Sequence, residues 1–468
     1  MKRNTLLFIL LFLTATSLFF ARLDLDALDE VLSNAKFGYE YIYSVAFMLL
    51  SFAVLYFSVR AFSDKQSFEF FRPTIVISSL FIASAIGGSV SYIITWLIWP
   101  HFVLDISNAI RTVGVALLFM SGGILVVNLL IKPYISASEK VRTETAINPV
   151  RLKVAILVTF AIGMAGAILV FSKLGFIPIL ADLTVSQRAS LGTMVGSGLQ
   201  SKMYLTLMIT IILSLVYLIK VDSRSIFAVF FFFVTTMLLF GYGARFFFVM
   251  PALVGLFCYN NFVKRIKFVY VILGFLVLFP LLVVYTSARE DLTTGESIGM
   301  YGFAFYLFGE FRDFTYMLDK LGRYNQYLGG TTLMNILYTA MPQQVWEVFG
   351  INKLGAMYSS ATFSADFLYK ANAGIRIGLL GEFFINFGYT GIYIGSFIFG
   401  ICAGILDIFY EVLPRKTTGQ IFVAFLTVNL LFSVIGQIDG VFATIYYYGY
   451  ILVAALLFIR ERKMVYDE

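Results

Sequence analysis

Glu382 and Asn386 lie four residues apart in GIRIGLLGEFFINFGYTGIYIGSFIFGICAG (374–404), so on a helix they share one face. Arg376 stands just before them. A carboxylate can take a proton from a hydroxyl, an amide can orient a polar substrate, and a guanidinium can hold an anion. Charge at the edge of an apolar helix is costly unless something uses it, which marks this stretch as the rim of a candidate active site. The bland alternative is that Glu382 caps or pairs at a helix interface. Gly391-x-x-x-Gly395 and Gly400-x-x-x-Gly404 follow, and small residues at that spacing allow neighbouring helices to pack closely.

A second constellation is FGEFRDF, which holds Glu310, Arg312 and Asp313. Glu310 and Asp313 are three apart and fall on one helix face. Either carboxylate could serve as a general base, and the trio could equally be a structural ion pair. Arginine is the third signal: Arg188, Arg245, Arg289, Arg312, Arg323 and Arg376 fall in outer loops or at the outer ends of spans. A planar guanidinium suits bidentate phosphate binding in a semi-dry site, although arginines also snorkel to lipid headgroups. His101, the sole histidine, follows Trp99-Pro100 and is better read as interfacial than catalytic. No Walker A loop, HExxH, DxD-type pair or Cys/His cluster occurs in the sequence, so no metal or cofactor is expected.

The elements that must position these groups are membrane helices. The chain is 60% hydrophobic, 13% charged and has mean hydropathy +0.88, which excludes a soluble globular domain of 468 residues. Apolar runs of roughly 17–25 residues recur, each able to cross about 30 Å of hydrocarbon. The fold class is therefore an all-α polytopic membrane protein of about twelve spans. We place them near 4–21, 41–59, 73–98, 110–131, 153–172, 203–219, 225–241, 246–262, 268–287, 388–410, 420–437 and 441–459. The first is expected to be an uncleaved signal anchor, since no A-x-A site follows it. Mid-membrane positions carry almost no ionisable residue, which argues against an ion-coupled path.

Lys and Arg set the orientation. They cluster at Lys132, Lys140, Arg142, Arg151 and Lys153 and again at Lys264, Arg265 and Lys267, against isolated residues such as Arg22, Lys36 and Arg111 in the alternate segments. The bias puts both termini in the cytoplasm. The net charge of +7 is the same bias and gives no reason to expect nucleic acid. Cys258 and Cys402 fall in apolar runs and are read as packing residues without a disulfide. Three divisions follow: residues 1–287 with nine spans and a short outer loop at 173–202, a large outer loop at 288–387, and three spans in 388–468. The large loop is rich in aromatics, and 301–322 and 332–349 are expected to form short helices lying along the interface.

Three passages carry a family resemblance. GFIPILADLTVSQR (175–188) is similar to an outer-loop Gly-x-Pro-Leu-Leu followed by arginine, and GYGARFFFVMPALVGLF (241–257) to a Gly-x-Arg turn entering an apolar helix. GLLGEFFINFGYTGIYIGSFIFG (378–400) looks like a Gly-Glu-x-x-x-Asn-Phe-Gly-x-x-Gly signature. Together with the span plan, these resemble the Wzy-type oligosaccharide repeat-unit polymerases of O-antigen and capsule synthesis. The family's arginine–ten residues–glycine spacing is not met at Arg188, followed by Gly198, or at Arg376, followed by Gly388.

The resemblance implies a GT-C-like fold in a bacterial inner membrane, with the active site facing the periplasm. It implies a donor glycan on undecaprenyl diphosphate, an acceptor that is one lipid-linked repeat unit, and a polysaccharide co-polymerase as partner. On that reading the diphosphate is held by arginines among Arg188, Arg245, Arg289, Arg312 and Arg376, with Asn386 also contacting substrate. Glu382, Glu310 or Asp313 supplies the base. An O-antigen ligase, or a lipid-linked oligosaccharide flippase without chemistry, remains the alternative.

Overall fold

The computed structural model describes residues 39–61, 69–98, 105–134, 145–177, 199–241, 246–271, 273–274, 309–324, 327–334, 377–413, 418–436 and 438–462. Along the chain the helices are α1 (Tyr39–Ala61), α2 (Pro73–Ile98), α3 (Ile106–Leu130), α4 (Pro149–Leu174), α5 (Leu199–Leu205), α6 (Leu207–Lys220), α7 (Ile226–Gly241), α8 (Phe246–Phe262), α9 (Gly309–Tyr324), α10 (Gly378–Val412), α11 (Thr418–Ile435) and α12 (Ile438–Ile459). Strands β1 (Thr145–Ile147) and β2 (Arg460–Arg462) pair antiparallel. Among the described residues seven helical stretches are long and apolar enough to cross a membrane: α1, α2, α3, α4, α5–α6, α10 and α11. Three shorter apolar helices accompany them at Ile226–Gly241, Val249–Phe262 and Thr444–Ile459. This is the architecture of an all-α, multi-pass membrane protein.

Helices stand at each sequence-predicted span that the described residues cover. The span at 4–21 lies outside them, and of 268–287 only the first residues are described. The boundaries follow local chemistry. Asn148 accepts hydrogen bonds from the Val150 and Arg151 amides, Pro149 opens α4, and Gly175 closes it in the left-handed conformation at φ 76°. Large apolar side chains cover the outside of the bundle, among them Tyr43, Leu50 and Phe57 on α1 and Leu157, Val158 and Ile168 on α4. Such a surface is stable against lipid and not against water.

Two apolar cores lie inside. One gathers α1, α2, α3, α9 and α10, and the other gathers α4, α6, α7, α8, α11 and α12. Helices α2 and α11 contribute to both and pack against each other, so they form the seam. Helix α10 lies along α3 so closely that a Cβ on Gly400 would meet the Met120 carbonyl oxygen at 2.2 Å. Gly400 and Gly404 therefore act as the sequence suggests. Gly391 and Gly395 do not: their missing side chains make room for Phe383 of the same helix, across a bend at Gly388.

The pairing of β1 with β2 brings the start of α4 and the end of α12 to one end of the molecule. Charged residues at the start of α2, after α3 and near the end of α10 form an ionic network. Arg72, ahead of α2, donates from Nε to Asp407 Oδ2 at 2.7 Å and pairs through Nη1 with Glu411 at 2.8 Å. Lys132, after α3, reaches Glu411 at 2.8 Å. Glu69 and Arg265 form a further ion pair.

Candidate functional site

The site is built from α9 and the first turns of α10. In GEFRDFTYMLDKLGRY the apolar residues Phe311, Phe314, Leu318 and Leu321 recur at helical spacing and all four are buried. Helix α9 packs against α2, α3 and α10. Gly88 of α2 permits this approach, since a Cβ there would stand 2.4 Å from the Phe311 ring. The consequence is that Glu310, Arg312 and Asp313 are all buried. The second fragment expected along the interface, 332–349, is described only to Met334, where residues 331–334 form one helical turn.

The three residues of this trio do different things. Arg312 turns back on its neighbour, donating from Nε at 3.0 Å and from Nη2 at 2.8 Å to Asp313 Oδ1. Burial pushes the Asp313 carboxyl above its ordinary value of 3.8, while the Arg312 guanidinium pulls it back part of the way. Glu310 instead lines a small cleft of about 20 Å³. Phe81, Val113, Phe311, Leu380 and Val434 contribute apolar walls, and Gly378 brings in the opening of α10. Gly378 has φ 63°, and a Cβ on it would meet the Val434 carbonyl oxygen at 2.5 Å. Only glycine lets the helix begin against the end of α11.

Helix α10 starts ten residues before the predicted span at 388. Glu382 and Asn386 therefore lie inside a helix, at 1% and 0% exposure, rather than at its mouth. Glu382 is one turn beyond Gly378 on the same face. Asn386 is tied to the segment 327–334. Its Nδ2 donates to Thr332 Oγ1 at 2.6 Å and to the Glu382 carbonyl at 2.7 Å, and its Oδ1 accepts from the Thr332 amide at 3.4 Å. At Gly388 the helix breaks, with φ 64° and ψ −150°.

The structure thus brings Glu310 and the N-terminal turn of the Glu382 helix together at one cleft. Arg188, Arg245, Arg289, Arg376 and His101 lie outside the described residues. Arg323 is on α9. Cys258 and Cys402 are free thiols, the first buried and the second exposed on the flank of α10.

Sequence reasoning missed two features. Thr332 carries no signal of its own, because its role depends on a contact 54 residues away. Asp407 did carry one. It is an acidic residue inside the apolar run 388–410, and such a residue has a partner or a function by default. Its partner is Arg72, and it also accepts from the amide of Thr74 at 3.1 Å and from the Thr74 hydroxyl.

No protein-family model, curated protein or solved structure matches this chain.

Proposed function

We propose that this protein is a membrane glycosyltransferase of the Wzy type, polymerising undecaprenyl-diphosphate-linked repeat units into surface polysaccharide. The observation that carries the reading is the cleft shared by Glu310 and the opening of the helix that bears Glu382, directly after Arg376 in the sequence. The three motif resemblances are its other support. In the reaction the acceptor hydroxyl oxygen attacks the anomeric carbon of the donor glycan. The bond from that carbon to the diphosphate oxygen breaks, and its electron pair leaves with undecaprenyl diphosphate.

Glu310 takes the hydroxyl proton in this proposal. It lines the cleft, and Asp313 is not among the residues that line it. Apolar walls around Glu310 keep out water that would compete with the sugar hydroxyl. Arg376, with Arg188, Arg245 and Arg289, holds the diphosphate as charge builds on the leaving oxygen, so that no metal is needed. The protein has twelve spans of GT-C-like arrangement in a bacterial inner membrane, both termini in the cytoplasm and the cleft towards the periplasm. The end bearing Arg72, Lys132 and Arg265 is then the cytoplasmic one, in keeping with its basic residues. A polysaccharide co-polymerase sets the chain length.

The test is to delete the gene in its native host and size the lipid-linked glycans on a gel. Single repeats should accumulate, and wild type should restore the ladder. Glu310→Gln, expressed and inserted equally, should slow elongation by about 10²–10⁴-fold, the usual contribution of a general base. Long chains stranded on undecaprenyl diphosphate would make the protein a ligase. Repeats trapped on the cytoplasmic side would make it a flippase. Normal ladders from both Glu310→Gln and Glu382→Gln would remove this site assignment.

A further inference from the structure

We infer that Asn386 and Thr332 are positioning residues: together they clasp the segment 327–334 to the break in α10 and so fix the turn that carries Glu382. The geometry begins with the backbone. In an unbroken helix the carbonyls of Ile385 and Asn386 take the amides four residues on, at Tyr389 and Thr390. The chain turns aside at Gly388, and these two carbonyls accept the amides of Leu328 and Gly329, each at 2.9 Å. The segment from the long loop therefore serves as the C-cap of the half-helix 378–387.

The side chains complete the clasp. Asn386 spends both N–H donors inside the protein, one on the Thr332 hydroxyl and one on the Glu382 carbonyl. Its carboxamide oxygen faces the Thr332 amide. A fully buried amide with both donors committed has none left to offer a sugar or a diphosphate. Asn386 thus acts on the site through the helix turn it fastens and not by touching substrate. Above the break, the Tyr327 ring covers Gly388, where a Cβ would come within 2.8 Å, and it packs edge-on against Phe384 at 5.8 Å between centroids. Gly330 at φ 94° lets the chain pass over Phe387.

This role explains the Glu-x-x-x-Asn spacing without a substrate. An asparagine one turn after Glu382 reaches back to the Glu382 carbonyl and sideways to the loop, which ties three pieces of chain through one amide. Only the kinetic part of the proposal rests on the polymerase reading. The clasp itself is a statement about the fold.

Two measurements test it. In wild-type protein in lipid nanodiscs, hydrogen exchange of the Leu328 and Gly329 amides should be as slow as that of residues 383–387 of α10. Exchange at loop rates would overturn the proposal, and this readout needs neither a variant nor an activity. The second measurement compares Thr332→Val, which keeps the shape and loses the hydroxyl, with Thr332→Ser, which keeps the hydroxyl. Per folded molecule, Thr332→Val should lower kcat for elongation of lipid-linked repeats roughly tenfold at unchanged KM, as expected when the helix opening that walls the cleft beside Glu310 shifts from its place. Thr332→Ser should recover most of it. Wild-type turnover in folded Thr332→Val would overturn the positioning role. If wild type itself does not elongate glycans, the polymerase reading falls and the exchange result still decides the clasp.

Discussion

Replacing Asp407 by asparagine should destabilise the protein by about 3 kcal/mol, the lower part of the range for breaking a buried ion pair. The figure follows from the arrangement of four charges. Arg72, Lys132, Asp407 and Glu411 balance to zero, and the Asp407 side chain is only 2% exposed. Asparagine keeps an oxygen for the Thr74 amide but turns an NH2 group towards Arg72 Nε and the Thr74 hydroxyl, where the carboxylate accepted from both. Arg72 then keeps Glu411 at 2.8 Å, which is why the loss does not reach the top of the range. An arginine guanidinium stays protonated in proteins, so Arg72 cannot escape the mutation by shedding its proton.

Thermal unfolding in detergent, followed by the loss of monodisperse protein, is the assay. A loss of about 3 kcal/mol corresponds to a fall in melting temperature of roughly 3 °C in a chain of this size, scaled from smaller domains. Lys132→Met should cost less, about 1 kcal/mol, because Lys132 and Glu411 are each 14% exposed and Glu411 retains Arg72. An unchanged melting temperature for Asp407→Asn, or a larger loss for Lys132→Met, would refute the reasoning that the network is a buried, charge-balanced lock.

Gly388→Ala should cost about 2–3 kcal/mol, since it forces a side chain into φ 64° and its Cβ into the Tyr327 ring; melting curves and faster proteolysis near 327–334 would report it. Asp313 is held above 3.8 in the folded protein by burial, so the folded state binds this proton more tightly than the unfolded chain. Its contribution to stability therefore grows as pH falls through its raised value and levels off below 3.8. Asp313→Asn should abolish that acid-side gain, which a pH series of melting curves on both proteins would detect.

The membrane helices were legible because each rests on a property of one short run, its apolar length, and the polar caps such as Asn148-Pro149 mark the ends. The start of α10 was not. A span is recognised where polar residues stop, and Glu382 and Asn386 made 378–387 look like a loop, although their polar groups are turned inward and Asn386 is satisfied there. Helix α9 was legible as an amphipathic helix, but its pattern does not say which helices its apolar face meets, and the room for that contact comes from Gly88, over 200 residues away. The Glu310 and Glu382 candidates were visible as residue types. Which carboxylate opens onto a cleft depended on Arg312 turning back to Asp313, a rotamer choice that spacing does not encode.

One helix joins the two ends of the protein. From Gly378 at the cleft to Asp407 in the ionic network, α10 runs for about 40 Å at 1.5 Å per residue. Its far half is bound to α3 through Gly400 and anchored by Arg72 and Lys132. Its near half is separated from this anchor by the break at Gly388 and held by loop amides and the Asn386 clasp. The helix is thus two separately fastened pieces, a shaft held by charge and close packing and a head held by the loop. A perturbation of the Asn386 clasp should therefore be felt in residues 378–387, and one of the charge network in the far half of the helix.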